Sequence, residues 1–243
     1  MRNLKYILVL LLFSYACFEK NMNLNDLKLI DGVYFNEKSD EIYTGKCYLE
    51  DEDGNVVMEV RIEDGEKAGT WFEYFPSGEK MSEGSYQQGK QHGTWRSWYA
   101  SGKIEAEASY INGSLNGTGK RWYENGQQAG EVNYVMNLKE GPWKEWYENG
   151  QQKSEGSYRK NNIDGEVKYW YENGNLLNNI NFRAGVYHGK YIEYYENGAK
   201  KFEGEYANGL KNGEFNTWDE NGVLLKTITY NNDQIISSKA YFE

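Results

Sequence analysis

The chain has 243 residues and a formal net charge of −10, from 37 acidic and 27 basic side chains. That balance disfavours nucleic acid and anionic lipid as direct partners, because both are polyanions. Aromatic residues make up 16 % of the chain, with 22 Tyr and 8 Trp, against 27 Gly and only 2 Pro. With a mean hydropathy of −0.88, a large aliphatic core is disfavoured, and the composition suits many short strands joined by tight turns and packed through rings.

The first residues differ in kind from the rest. Arg2 and Lys5 form a basic start, Tyr6 to Phe13 (YILVLLLF) is an apolar run, and Ser14-Tyr15-Ala16-Cys17 supplies small residues ending in a cysteine. This is secretory-signal architecture, too short to span a bilayer as a stable helix. The segment resembles a bacterial lipoprotein signal, in which cleavage before Cys17 leaves a cysteine whose thiol carries a diacylglyceryl group. Ser14 stands where the usual lipobox has Leu, and ordinary cleavage with Cys17 free or paired with Cys47 remains the alternative. Two acyl chains anchor stably where one does not. The expected organisation is a signal over 1–16, a lipidated polar tether over 17–26, an entry half-repeat over 27–44, eight repeats over 45–236 and a capping strand over 237–243.

The repeats are read from glycines. Gly45, Gly69, Gly93, Gly117, Gly141, Gly165, Gly189 and Gly213 are spaced by 24 residues without insertion or deletion. Another glycine follows nine residues after each, from Gly54 to Gly222. Such a fixed period marks a tandem repeat array. Two residues past the anchor glycine stand Cys47, Trp71, Trp95, Gly119, Trp143, Val167, Tyr191 and Phe215. Five past, Tyr74, Trp98, Trp122, Trp146, Trp170, Tyr194 and Trp218 form a second column. Six past come Phe75, Tyr99, Tyr123, Tyr147, Tyr171 and Tyr195. A last column runs from Ile62 and Tyr86 to Tyr206 and Tyr230. Each period therefore offers one strand over its first six positions and a second ending at this last column.

Two turns join the strands. Asn125-Gly126, Asn149-Gly150, Asn173-Gly174 and Asn197-Gly198 predict a two-residue hairpin with positive φ at both residues. The other turn holds Gly65, Gly89, Gly113, Asn137, Asn161, Gly185, Gly209 and Asp233 at one offset, the residue types that tolerate a left-handed backbone. Within the second strand, Gly84, Ala108, Gly156 and Gly204 share a column with Val60, Val132, Ile180 and Ile228. A small residue there predicts that a ring of the first strand lies over it.

The pattern G-x-W-x-x-W-Y-E-N-G, seen in Gly141 to Gly150, continues through E-G-S-Y in Glu155 to Tyr158. It resembles the MORN repeat and its bacterial variant, the YwqK-like repeat family, over about residues 32 to 243. The resemblance implies an all-β fold: tandem 24-residue antiparallel β-hairpins laid side by side in an elongated, twisted single-layer sheet. A closed barrel or a propeller is the competing architecture.

Catalytic chemistry is sparse. His92 and His188 share a register four repeats apart and cannot meet in a linear array. Two cysteines make no zinc framework or Cys-His pair, and no glycine-rich loop opens a helix to hold phosphate. Glu59, Glu83, Glu107, Glu131, Glu155 and Glu203 recur in equivalent surroundings, as on a solvated strand face. The aromatic rows read first as packing. As a ligand platform, the candidate surface is Trp98, Trp122, Trp146, Trp170 and Trp218. The expectation is a non-catalytic scaffold without metal or cofactor. It would be anchored to a membrane of the cell envelope through Cys17, monomeric, and turned to a protein or glycan partner. An antitoxin-type role, which the family resemblance brings, is the alternative; the leader argues against it.

Overall fold

The computed structural model describes residues 21–241, so the leader and Cys17 lie outside the described residues. One open sheet carries nearly all of the fold. Each period supplies two antiparallel strands, and each strand pairs with the next in chain order. Leu138–Trp146, for example, pairs with Gln152–Arg159, which pairs with Asn162–Ile163 and Gly165–Trp170, and so on. At one end Asn21–Asn23 lies parallel to Gly45–Glu50. At the other, Gln234–Ala240 pairs with Leu224–Asn231. Among the described residues no ladder joins the two ends, so the sheet is neither a barrel nor a propeller.

The two ends differ. Leu27–Ile30 and Val33–Asn36 form a separate hairpin whose Leu27 and Tyr34, with Met22 and Leu24, pack against the buried cluster of Tyr43, Cys47, Val60 and Ile62. The segment expected as a tether is therefore docked from Asn21 onward: it supplies a strand and the apolar contacts that cover the first repeat. The closing strand begins at Gln234 rather than at 237 and is exposed throughout.

The turns behave unequally. Between repeats, both central residues have positive φ: Gln88 (49°) with Gly89 (71°), Met136 (49°) with Asn137 (68°), and Lys160 (48°) with Asn161 (69°). These are the two-residue primed turns that match the twist of the flanking strands. They fall at the glycine/asparagine column, as its composition predicts. The Asn-Gly turn inside each repeat is different. Gly150 has φ +84° but Asn149 is not left-handed. Tyr147 N–H donates to Gln151 O (2.9 Å), and Gly150 N–H donates to Tyr147 O (2.9 Å). This is a three-residue loop with a left-handed glycine closing it as a bulge. The expected two-residue primed turn is thus corrected.

Asn149 is selected for a different reason. Its Oδ1 accepts from Gln151 N–H (2.9 Å), and its Nδ2 donates to Glu172 O in the next repeat (3.1 Å). The same reach recurs at Asn125, Asn173 and Asn197. The adjacent tyrosine does likewise. Tyr99, Tyr123, Tyr147, Tyr171 and Tyr195 each donate a hydroxyl hydrogen bond of 2.7–2.9 Å to the carbonyl of Trp122, Trp146, Trp170, Tyr194 and Trp218 in turn. On the opposite rim, turn stacks on turn: Gly89 N–H meets Lys67 O (2.9 Å), Asn161 N–H meets Lys139 O (3.0 Å), and Gly185 N–H meets Ile163 O (2.7 Å).

The core is a row of side chains across one face. Paired residues in this row complement one another in size: Trp71 with Gly84, Trp143 with Gly156, Tyr191 with Gly204, Val167 with Ile180. Rings lie over the glycines, as the small column predicts. A Cβ built on Gly84 would stand 2.2 Å from the Trp95 ring, and one on Gly204 would stand 2.3 Å from Phe215. For those two glycines the covering ring comes from the following repeat.

Two outcomes test this account. Deleting one whole period, Gly141 through Asp164, joins Glu140 to Gly165 and keeps every later residue in frame. Because the bonds run only between neighbouring repeats, the shortened chain is expected to unfold cooperatively in urea with only part of the stability lost. Loss of the unfolding transition would contradict a nearest-neighbour array. Gly84→Val, which forces the Trp95 ring aside, is expected to cost about 1–3 kcal/mol. The same change at Gly204 should cost a similar amount, and an unchanged urea midpoint for both would show that the rings do not rest on the glycines.

Candidate functional site

The five candidate tryptophans occupy one register on the face opposite the core row. All are half-buried. From Trp98 to Trp170 successive members are two strands apart, roughly 10 Å, and Trp218 stands a further period away beyond Tyr194, so the row is a series of separate rings. Lys80 Nζ stands 5.5 Å over Trp98 and 4.7 Å over Phe72, and Lys200 Nζ stands 5.2 Å over Trp218. Such cation–ring contacts are worth about 0.5–1 kcal/mol at exposed sites.

The acid column shares this face and is paired along it. Lys80 meets Glu83 at 2.6 Å, Gln152 meets Glu155 at 2.9 Å, and Lys200 meets Glu203 at 2.5 Å. Arg96 bridges two of the acids, 2.8 Å from Glu107 and 3.6 Å from Glu83. The acids thus find partners on their own strand or the next one, as on a solvated face. Among the described residues no group of three or more His, Cys, Asp or Glu is placed to hold a metal ion.

The two histidines are separated, as their register requires. His188 Nδ1 accepts from Asn208 N–H at 3.3 Å, bracing the left-handed residue of the next turn. Glu140 does the same for Lys160 (2.8 Å), and Asp164 for Ala184 (3.0 Å). Cys47 is buried, 2 % exposed. Burial pushes its thiol up to about 11, so it is held as a neutral thiol. Cys17, the expected lipidation site, lies outside the described residues. Among the described residues no helix is long and apolar enough to cross a membrane.

One place breaks the repeat. The ring column carries Trp71, Trp95 and Trp143, but Gly119 stands between the last two. Its row neighbours Ala108 and Val132 are small as well, and Gly130 lies beside Arg121 in the next row. The result is a notch of about 360 Å³ in the core face, floored by these residues and walled by Tyr110, Tyr134 and Trp143. Tyr134 leans inward, its Cε2 3.3 Å from where a Cβ on Gly119 would stand. Arg121 and Glu145, 3.8 Å apart, lie on the rim, and Lys139 Nζ sits 5.0 Å over the Tyr158 ring. The signal was in the sequence: a column that holds rings in five periods and Cys47 and Val167 in two has a glycine only here.

The rings of this face also set a pH limit. Burial pushes the Tyr43 and Tyr191 hydroxyls up to about 12, and burial also raises Tyr86, Tyr158 and Tyr206. A raised folded-state value means the native chain holds the phenolic protons that the unfolded chain releases near 10. That stability is complete below about pH 10 and is lost as pH rises through the folded values near 12. Unfolding followed by circular dichroism should therefore set in above about pH 10, with tyrosinate absorbance rising in step. Tyrosinate absorbance that rises fully before any loss of strand signal would contradict burial of these hydroxyls.

Comparison with known proteins bears on the fold. No curated protein matches the chain. Among the solved structures that the chain matches are two toxin assemblies. One is the Photorhabdus luminescens Tc holotoxin pore, 10 % identical, TM-score 0.20, matching over 85 % of this chain and 14 % of that one. The other is a complex of TcdB2, TccC3 and Cdc42, 10 % identical, TM-score 0.17, over 83 % and 15 %. This chain thus spans about one seventh of those chains. The MORN repeat variant matches seven segments, 67–88, 91–112, 115–136, 139–160, 163–184, 187–208 and 211–232. They begin two residues before each anchor glycine from Gly69 to Gly213, in the frame the glycines define, and the chain belongs to the MORN repeat variant family.

Proposed function

We propose that this chain is a non-catalytic binding scaffold, held at a membrane of the cell envelope by a lipid on Cys17 and presenting its repeat sheet to a protein or glycan partner. The observation that carries the binding part is the single-layer sheet itself. A strand pair in a globular domain buries at least one face. Here half-buried rings and paired charges line one face in register, and the other face is interrupted by the notch at Gly119. Repeat sheets of this kind offer extended surfaces whose energetics come from many modest contacts. The membership in a repeat family often used for binding supports the same reading.

The anchoring part rests on the leader: a basic start, an apolar run and small residues before Cys17. Acylation there would place the acidic sheet close to the bilayer, while a net charge more negative than the full chain's −10, since Arg2 and Lys5 leave with the leader, keeps the sheet off anionic headgroups. Partners would then be found among envelope proteins and surface glycans.

The anchor is tested by Cys17→Ser. The parent protein is expected to sediment with membranes and to incorporate a labelled lipid precursor, and the variant to lose the label. A parent that takes no label, with a variant that sediments as before, would overturn the anchor. The binding surface is tested separately with the double change Trp146→Ser and Trp170→Ser. Capture of envelope protein or glycan by the parent chain and not by this folded variant is the expected result. Capture unchanged in the variant would remove the tryptophan row from the proposal.

A further inference from the structure

We propose that the notch at Gly119 is a receptor for one aromatic side chain, most simply an indole, projecting from a protein partner. The inference rests on the scaffold reading and narrows it to one place and one chemistry.

The repeats themselves supply the template. In the period before the notch, Trp95 stands in the ring column with a tyrosine on either side. Tyr86 meets it edge-on, at 5.3 Å and 87°, and Tyr110 at 6.0 Å and 68°. In the last period Phe215 is clasped the same way by Tyr206 (5.4 Å, 88°) and Tyr230 (5.1 Å, 81°). Edge-to-face geometry of this kind is favoured by the ring quadrupole and adds to the area buried. At Gly119 the two clasping residues are both present, as Tyr110 and Tyr134, and the ring between them is missing.

The floor is shaped accordingly. In the column paired with the rings, Gly84 and Gly204 accept the Trp95 and Phe215 rings directly on the backbone. At the notch Gly119, the ladder partner of Val132, carries no side chain, and the edge of the Tyr134 ring leans in from one side, 3.3 Å from where a Cβ would stand, so an incoming ring would be received against Tyr134. A volume of about 360 Å³ lies at the lower end of ligand-pocket sizes, which suits a single side chain rather than a chain of sugars. The walls are mainly apolar rings and short aliphatic groups, so an unfilled notch leaves ring surface in water that an incoming ring would cover. On the rim Arg121, exposed and 3.8 Å from Glu145, gives an otherwise acidic chain a cation beside the opening. Neutral or acidic residues flanking the anchor would suit it.

The purified chain, titrated with N-acetyl-L-tryptophanamide as the stand-in for the partner's side chain, tests the proposal. Amide resonances of Ala108, Gly119, Val132 and Tyr134 are expected to shift saturably, at roughly millimolar ligand for a group of this size. Gly119→Val should abolish those shifts. Valine is a residue the column already accepts at Val167, opposite Ile180. Gly119→Trp with Val132→Gly, which rebuilds the Trp-Gly pairing of the neighbouring repeats, should abolish them too, and serves if the valine variant fails to fold. Shifts that persist in either folded variant would overturn the site, as would shifts that map to Trp98 and Trp146 instead. Binding of methyl β-glucoside but not of the tryptophan amide would leave the scaffold reading standing and overturn the aromatic assignment. Binding of free indole but not of the amide would point to an enclosed small-molecule site and would overturn a side chain as the occupant.

Discussion

The tyrosine hydroxyl that reaches forward to the next repeat's carbonyl is the interaction on which the rest of this molecule depends. A two-stranded hairpin is at best marginal in water, because it has one pair of strands and no second layer to cover its apolar face. Here the hairpins from Gly117 to Gly198 are each tied to the next three times over: through the strand ladder, through the Tyr and Asn of the Y-E-N-G loop on one rim, and through the stacked primed turns on the other. A net stabilisation of about 1 kcal/mol per hydrogen bond makes each tie small, but the tyrosine tie recurs from Tyr99 to Tyr195 and the stacked turns recur along the whole opposite rim. They also explain why the 24-residue frame is kept. An extra residue in either turn would displace a donor from its carbonyl in the adjacent repeat, and the misfit would fall on both rims.

With one layer there is no interior into which aliphatic side chains could be gathered. The chain instead makes its core by placing large rings against absent side chains. Trp95 lies on Gly84 and Phe215 on Gly204 so closely that a β-carbon would overlap the ring. Where the ring column holds a smaller residue, its partner grows: Val167 faces Ile180 and Gly119 faces Val132. Volume is thus conserved along most of the row, pair by pair, which is the condition for close packing. Conservation fails at Gly119, because Val132 is opposed on its other side by Trp143 and cannot fill both places.

Much of this was legible in the residues. The period, the strand positions, the left-handed column of the inter-repeat turn and the glycine–ring relation follow from alternation, turn chemistry and size alone. The Asn-Gly turn was not. The dipeptide places glycine in the left-handed region both in a two-residue primed turn and in a three-residue bulged loop, so local propensity cannot separate them. What separates them is Asn149 Nδ2 reaching Glu172 O, a contact with a residue of another repeat. The docking of Asn21–Asn23 was hidden for a similar reason: a polar NMN segment reads as linker, and its parallel pairing with Gly45–Glu50 is a tertiary event. The Trp98 row shares one register, and its separation into single rings depends on strand spacing, which a column of letters does not carry.

Uniformity is what gives the notch its meaning. In an array, a feature shared by all periods is explained by the needs of stacking, since each period meets the same neighbours. A departure in a terminal period is explained by capping, as with the exposed strand Gln234–Ala240 and the hairpin that covers the first repeat. Gly119 belongs to neither class. It lies in the middle of the sheet, with well-formed periods on both sides, where stacking would be better satisfied by a ring. Omitting that ring forgoes the area an aromatic side chain would bury against Tyr110 and Tyr134. The energy left unused at this one site is available to whatever ring is offered from outside.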